Sequence, residues 1–270
     1  MSGRLEMSVV GIGLAGPGLA SWRDARAILR GDAAWHEAPT VLAPPSRLPP
    51  AERRRAGPSI RLAMAVADEA VAASGLDPSR LATVFAASGG EGSNCHALCE
   101  SLASPDRPVS PTRFTNSVQN APAGYWHIAV ASRASSTSLS SYDASFAAGL
   151  LEAAMQVATR AEPVLLVAGD VPYPEPLHRL RPLPHAVGVA LVLAPGDARS
   201  GATARLGIAF EALADDDAGR CRDAGLETLR TAVPAARALP LLEAIARGER
   251  TTSTLRCARG TGLRVDVECA

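Results

Sequence analysis

The sequence predicts a layered α/β domain. Short apolar segments rich in β-branched residues alternate along the chain with stretches of helical periodicity. Those apolar segments do not alternate polar with apolar residues, as a strand with one wet face would, so the sheet they form is buried on both sides. Clusters of Gly, Ser or Pro close most of them as turns. With 270 residues and 47% hydrophobic content, the chain is large enough to bury a full core.

Each element has its own warrant. Residues 7–12 form a β-branched run closed by Gly11, Gly13, Gly16 and Gly18, which predicts a buried strand running into a Gly-rich turn. Ser21 caps a helix that runs through Leu29 and is stopped by Gly31. Residues 39–50 carry five prolines and no periodicity, and read as a loop. Residues 59–73 place Ile60, Met64, Ala67 and Val71 on one helical face, with Gly75 as the stop. A second buried strand is expected at 81–87 before Ser88-Gly89-Gly90, then helices at 94–102 and 116–131, the latter carrying Tyr125, Trp126 and Ile128. A third strand at 137–142 is followed by a helix at 145–159, and strands at 164–168 and 187–193 flank a Pro-rich connection. The remainder suggests a strand near 206–210 and helices at 220–230 and Leu239–Arg247. It ends in a strand pair at 253–258 and 263–268, where Leu263, Val265 and Val267 alternate with charged residues. The organisation expected is a main domain at 1–200 and a short α/β extension at 201–270 packed on it.

Composition removes several function classes. Basic and acidic residues balance at 27 each, so no cationic surface invites nucleic acid or anionic lipid. Ser, Gly and Pro interrupt every uncharged stretch before it could span a bilayer. The first twenty residues lack the charged segment, apolar core and cleavage site of a signal peptide. Five cysteines, at 95, 99, 221, 257 and 269, are odd in number and contain no CxxC pair, which suits thiols in a reducing cytoplasm. Cys95, His96 and Cys99 lie within one helical turn or so, but structural zinc needs a fourth ligand, so no metal is expected. The segment Gly11-Ile12-Gly13-Leu14-Ala15-Gly16 spells GxGxxG. Pro17 and Gly18 interrupt the helix that should open there, and no acidic residue ends a second strand at the right distance, so no dinucleotide cofactor is expected either.

The segment Ser138-Leu139-Ser140-Ser141-Tyr142-Asp143-Ala144-Ser145-Phe146 carries the most chemistry. It reads as a strand that breaks sharply into an apolar helix. In many α/β enzymes such a break displays a nucleophile, and here the displayed position holds a carboxylate. Asp143 would form a mixed anhydride, a poor resting acyl-enzyme, but its charge suits the free N–H groups and dipole of a helix N-terminus. Ser141 and Ser145 are the competing nucleophiles. No GxSxG elbow surrounds Ser145, and no His–Asp pair can be named for it.

Several ordered blocks resemble the β-ketoacyl synthases. Residues 7–18 with Leu29-Arg30-Gly31 are similar to the family's opening, and residues 59–77 followed by 81–90 to its next helix and strand. The block from Val109-Ser110-Pro111 through Asn120-Ala121-Pro122-Ala123-Gly124 resembles the interface segment, residues 138–154 the nucleophile turn, and 164–169 with 188–193 the closing strands of the first half. The resemblance spans residues 7 to 195; from about Ala202 onward no match to the family is found. It implies a thiolase-like layered half-fold around a buried mixed sheet.

The resemblance also places Asp143 at the position of the family's catalytic cysteine. The second half that would bring histidines and a lysine is missing. After Pro195 the chain has no histidine, and it has no lysine anywhere; its five histidines (His36, His96, His127, His178, His185) all lie earlier. The chain therefore resembles the catalytically dead chain-length factors that pair with an active synthase, and most closely the short ones of aryl polyene and xanthomonadin-type pigment pathways. That resemblance implies a heterodimer with a β-ketoacyl synthase that supplies the catalytic groups, access to an acyl carrier protein through the complex, and a wall for the acyl tunnel. For that wall and interface it offers Phe114, Val118, Gln119, Asn120, Tyr125 and Trp126, with His96 and Cys99 as tunnel-gating side chains. The readings that compete with it are an acyl-thioester hydrolase or acyltransferase using Ser145 or Asp143, and a homodimeric scaffold that binds carrier protein.

Overall fold

The computed structural model describes residues 3–196, 202–213 and 218–269. In chain order the elements are β1 (Leu5–Ala15), α1 (Trp22–Arg30), α2 (Pro50–Arg55), α3 (Pro58–Ser74), β2 (Ala82–Ala86), α4 (Gly92–Ala103), α5 (Pro111–Asn116), α6 (Ala121–Ala129), β3 (Ser136–Leu139), α7 (Ser145–Arg160), β4 (Val164–Asp170), α8 (Leu177–Leu180), β5 (Val187–Pro195), β6 (Ala204–Ala212), α9 (Ala224–Ala232), α10 (Leu239–Arg247), β7 (Thr251–Ala258) and β8 (Thr261–Cys269). Short 3₁₀ turns lie at Tyr142–Ala144 and Pro234–Ala238.

The described strands form one mixed sheet in the order β3-β2-β4-β5-β1-β6-β8-β7. β3, β2 and β4 run parallel, and every other pairing is antiparallel. Each face carries its own core. On one, α3 and α6 bring Ile60, Met64, Ala67, Val71 and Trp126 onto the sheet. On the other, α1, α7, α9 and α10 bring Leu29, Leu150, Leu226 and Leu242. The continuous apolar runs of β4 and β5 follow from this double burial. Residues 204–269 contribute three strands to this same sheet. The expected boundary between residues 200 and 201 lies outside the described residues.

β1 shows how the sequence handles two cores at once. Met7 and Val9 face the same core as Ile12 and Leu14, although strict alternation would put odd and even residues on opposite sides. A bulge between Val9 and Gly11 inserts the extra residue and resets the phase. Gly11 and Gly13 lie within this strand, which runs on to Ala15, and do not form the closing turn expected. A Cβ on either would stand 2.0 Å from the carbonyl oxygen of Ala70 or Val66, so these glycines let the α3 backbone cross β1 closely.

Helix α1 has the expected limits: Ser21 accepts the Asp24 N–H as its cap, and Gly31 ends it in the left-handed region at φ 83°. Gly75 ends α3 likewise at φ 65°. Two expectations are corrected. The helix expected at 116–131 is shorter, α6 at Ala121–Ala129; residues 117–120 part it from α5, which ends at Asn116, and Pro122 lacks an N–H and sits in the first turn of the new helix. The third strand stops at Leu139, because the backbone at 140–144 leaves the sheet for the 3₁₀ turn.

Candidate functional site

Where β3 gives way to α7, side-chain hydrogen bonds fix the backbone. The Ser140 hydroxyl donates to the Ala87 carbonyl (2.7 Å), and the Gln119 amide donates to Ser140 Oγ (2.7 Å). Ser145 Oγ accepts the Ser141 N–H (3.0 Å) and donates to the Tyr142 carbonyl (2.8 Å). That hydroxyl is buried and its proton is committed to the turn, so Ser145 acts here as a brace. Tyr142 sits at φ 51°, a left-handed conformation that is strained for a bulky side chain.

This strain presents Asp143 to two arginines. Its Oδ1 accepts from Arg181 at 2.9 Å, and its Oδ2 pairs with Arg237 at 3.2 Å. The Arg181 guanidinium also stacks on the Tyr142 ring, 3.5 Å from its centroid. Burial works against the charge on Arg181, yet pairing with Asp143 and Tyr142 leaves its pKa above the ordinary arginine value. At Arg237 the balance tips the other way: burial, together with repulsion from Arg230, Arg256 and Arg181, outweighs the attraction of Asp143. Arg230 and Arg256 line the same small cavity beside Asp143. The carboxylate expected to rest on helix N–H groups instead closes a cluster of guanidiniums, and no side-chain cap bond marks the start of α7. Chemically this is a carboxylate ion-paired to two guanidiniums, and its ion-pair partners among the described residues are arginines.

The other sequence-derived candidates fall into two groups. Phe114 and Val118 are exposed, at 65% and 48%, on α5 and the turn after it. Gln119 and Asn120 lie in the same turn and, with Gly124, His127, Ser136 and Ser138, line a shallow groove along the outer edge of β3. β3 is the edge strand of the sheet, paired on one side only. On α4, His96 pairs with Glu100 (3.2 Å) and Cys99 is exposed.

Tyr125 and Trp126 are placed differently. Trp126 is fully buried in the core under α3 and α6, and Tyr125 is buried with its hydroxyl donating to Asn116 Oδ1 at 3.1 Å. Both residues act from inside the chain. Their helix shows a different apolar residue to solvent, Ile128, which is 53% exposed. Sequence reasoning named Ile128 without offering it for the interface, and missed Arg181 and Arg237. Ile128 stood in the helix already picked out; the two arginines carry no local signal, since the fold alone brings them to Asp143.

The fold and the turn together define a thiolase-like α/β protein of the ketosynthase kind. Over residues 22–254 the sequence matches the β-ketoacyl synthase N-terminal domain, and the chain belongs to that family. The match runs well past Ala202 and corrects the expectation that the tail stands outside the family. Among curated proteins none matches the sequence. Solved structures resemble it in fold. One described as a ketosynthase (ApeO) in complex with its chain length factor (ApeC) from Xenorhabdus doucetiae is 20% identical, with TM-score 0.73, covering 97% of this chain and 99% of that one. A β-ketoacyl synthase from Burkholderia phymatum STM815 is 13% identical, with TM-score 0.70 and complete coverage of both chains. The ishigamide ketosynthase/chain length factor is 13% identical, with TM-score 0.69, covering 97% and 99%. Among the described residues no helix is long and apolar enough to cross a membrane.

Proposed function

We propose that this chain is a noncatalytic, chain-length-factor-like subunit that pairs with an active β-ketoacyl synthase in type II polyketide or fatty-acid assembly. The observation that carries the reading is the state of the turn. Condensation by this family's chemistry needs a free nucleophile and nearby proton-transferring groups; Asp143 is instead held between Arg181 and Arg237. A carboxylate so paired is a weak nucleophile, and Ser145 spends its proton on the Tyr142 carbonyl. In this reading the partner supplies cysteine and histidines, acyl carrier protein reaches the complex through that partner, and the product belongs with aryl polyene-type pigments. The residues after 201 then serve as an extension of the same domain. Five cysteines free of disulfides suit a cytoplasmic assembly.

The surface supports pairing. Phe114, Val118 and Ile128 expose apolar area, and among the described residues β3 leaves one edge unpaired, where a strand from another subunit can add. The same edge could accept a second copy of this chain, which is what favours the scaffold reading as the alternative.

Native mass spectrometry of the chain, alone and co-expressed with an active β-ketoacyl synthase from the same source, tests the proposal. A one-to-one complex is expected, and Phe114→Asp should abolish it while leaving the lone chain folded. Asp143→Asn in the intact complex should leave turnover within about twofold. A homodimer that ignores the synthase would move the scaffold reading forward, and a collapse in turnover with Asp143→Asn would give Asp143 a chemical role.

A further inference from the structure

Helix α4 presents two thiols to solvent. Cys95 and Cys99 stand four residues apart on it and both are exposed, whereas Leu98 is the residue this helix buries. Residues at that spacing share one helical face, with Cβ atoms about 5–6 Å apart. The other three cysteines are set apart from this pair. Cys221 is buried, Cys257 and Cys269 are half-buried on β7 and β8, and burial pushes all three thiols up, away from the thiolate that binds metals. The Cys95 thiol donates to the Ser117 carbonyl at 3.7 Å, a weak bond that holds it beside the turn after α5. His96 lies on the neighbouring stripe of α4, where its Nε2 pairs with Glu100 at 3.2 Å.

The spacing decides what can join two such sulfurs. A disulfide needs Cβ atoms about 3.5–4.5 Å apart, closer than one turn of intact helix holds them, so direct oxidation would distort α4. An ion between the sulfurs lengthens the bridge by two metal–sulfur bonds of about 2.3 Å each, and so spans the gap with the helix intact. The charge and coordination number of that ion follow from the ligand count. Among the described residues no three His, Cys, Asp or Glu side chains are grouped to hold a metal. The sequence set a metal aside because structural zinc needs four ligands, but that argument does not reach a soft monovalent ion. Cu(I) prefers thiolates and is satisfied by two of them in a line.

We propose that Cys95 and Cys99 form a two-coordinate site for Cu(I) on the exposed face of α4. On loading, both thiols give their protons to solvent and the two thiolates bind the ion, so the bridge carries one negative charge and no oxidation state changes. The Cys95 thiol gives up its bond to the Ser117 carbonyl, which returns to water or to the turn. Because two protons leave, binding weakens as pH falls. The inference concerns this chain by itself and holds whether or not it pairs with a synthase.

Anaerobic titration of the reduced chain with Cu(I), in competition with a chromogenic Cu(I) chelator, tests it. The wild type is expected to take one equivalent per chain and to gain an ultraviolet sulfur-to-copper band. Cys95→Ser and Cys99→Ser should each lose that equivalent, while the Cys257→Ser, Cys269→Ser double variant should keep it. Alkylating the exposed thiols of the wild type with iodoacetamide should abolish uptake without any substitution, which decides the matter if a variant folds poorly. Zinc offered at the same concentration should stay unbound, being short of ligands. No uptake of copper would overturn the proposal, as would uptake that survives in a folded Cys95→Ser or Cys99→Ser variant. So would half an equivalent per chain, as for an ion shared between two copies, or zinc held as tightly as copper.

Discussion

Asp143 and His127 show two fates for a titratable side chain: one is ion-paired beside β7, the other half-buried against β2. Asp143 was legible because the strand-to-helix break around it is local in sequence. The two arginines that neutralise it were not, because Arg181 stands 38 residues away and Arg237 lies in a 3₁₀ turn of the tail. His127 is partly buried on α6, with its Nε2 3.2 Å from the Thr83 hydroxyl, and burial holds its pKa below the ordinary imidazole value near 6.5. The unfolded chain therefore binds a proton there more readily than the folded one. Stability from this residue is fully present above about pH 6.5 and is lost as pH falls from there through the lower folded value. Asp170 and Glu243 have carboxyl pKa values raised by burial, and their contribution runs the opposite way, fading as pH rises. The difference between wild type and His127→Gln isolates the histidine. Urea unfolding between pH 5 and 7 should show a shallower loss on acidification in the variant, and identical slopes would mean that His127 is equally solvated in both states.

At the scale of elements, the sequence displayed every strand of the sheet and most helices, because burial on two faces leaves long apolar runs and glycine stops. It hid the backbone approaches. The glycines of the GxGxxG segment looked like a turn or a phosphate loop, whereas Gly11 and Gly13 make room for α3, a fact set by an element some fifty residues away. Gly149 plays the same part for α7. A Cβ there would stand 2.7 Å from the Ala86 Cβ and 3.0 Å from Leu166 Cδ1, so alanine must lift the helix from β2 and β4. Alanine improves helix propensity by about 1 kcal/mol, while overpacking costs about 1–3 kcal/mol. We expect Gly149→Ala to lower stability by roughly 1 kcal/mol in denaturant titration, and Ala86→Gly in the same chain to restore most of that loss. A stabilised single mutant would show that α7 has room to move.

At the scale of the whole molecule, β6, β7, β8, α9 and α10 share the sheet and one core with the rest of the chain. β6 pairs with the first half of β1, from Leu5–Ile208 to Val9–Ala204, so without it β1 would be a long apolar edge. The N–H of Ala235 donates to buried Asp170 at 2.8 Å, and Arg237 closes the cluster on Asp143. Leu226, Leu229, Leu239 and Leu242 belong to the same core as β4, β5 and α7. The sequence pointed to a short extension packed on the main domain, but nothing in the spacing of the tail's strand pair and helices reveals which core they fill. A chain cut after Pro195 would expose that core face, open β1 and leave Asp170 and Asp143 each short of a donor. It should therefore be insoluble, or collapsed without fixed side-chain packing, and the full chain should melt in one transition by calorimetry and near-ultraviolet circular dichroism alike. A soluble 1–195 fragment with native near-ultraviolet signal, or a full chain that unfolds in two separated steps, would show that the two parts hold their structure independently.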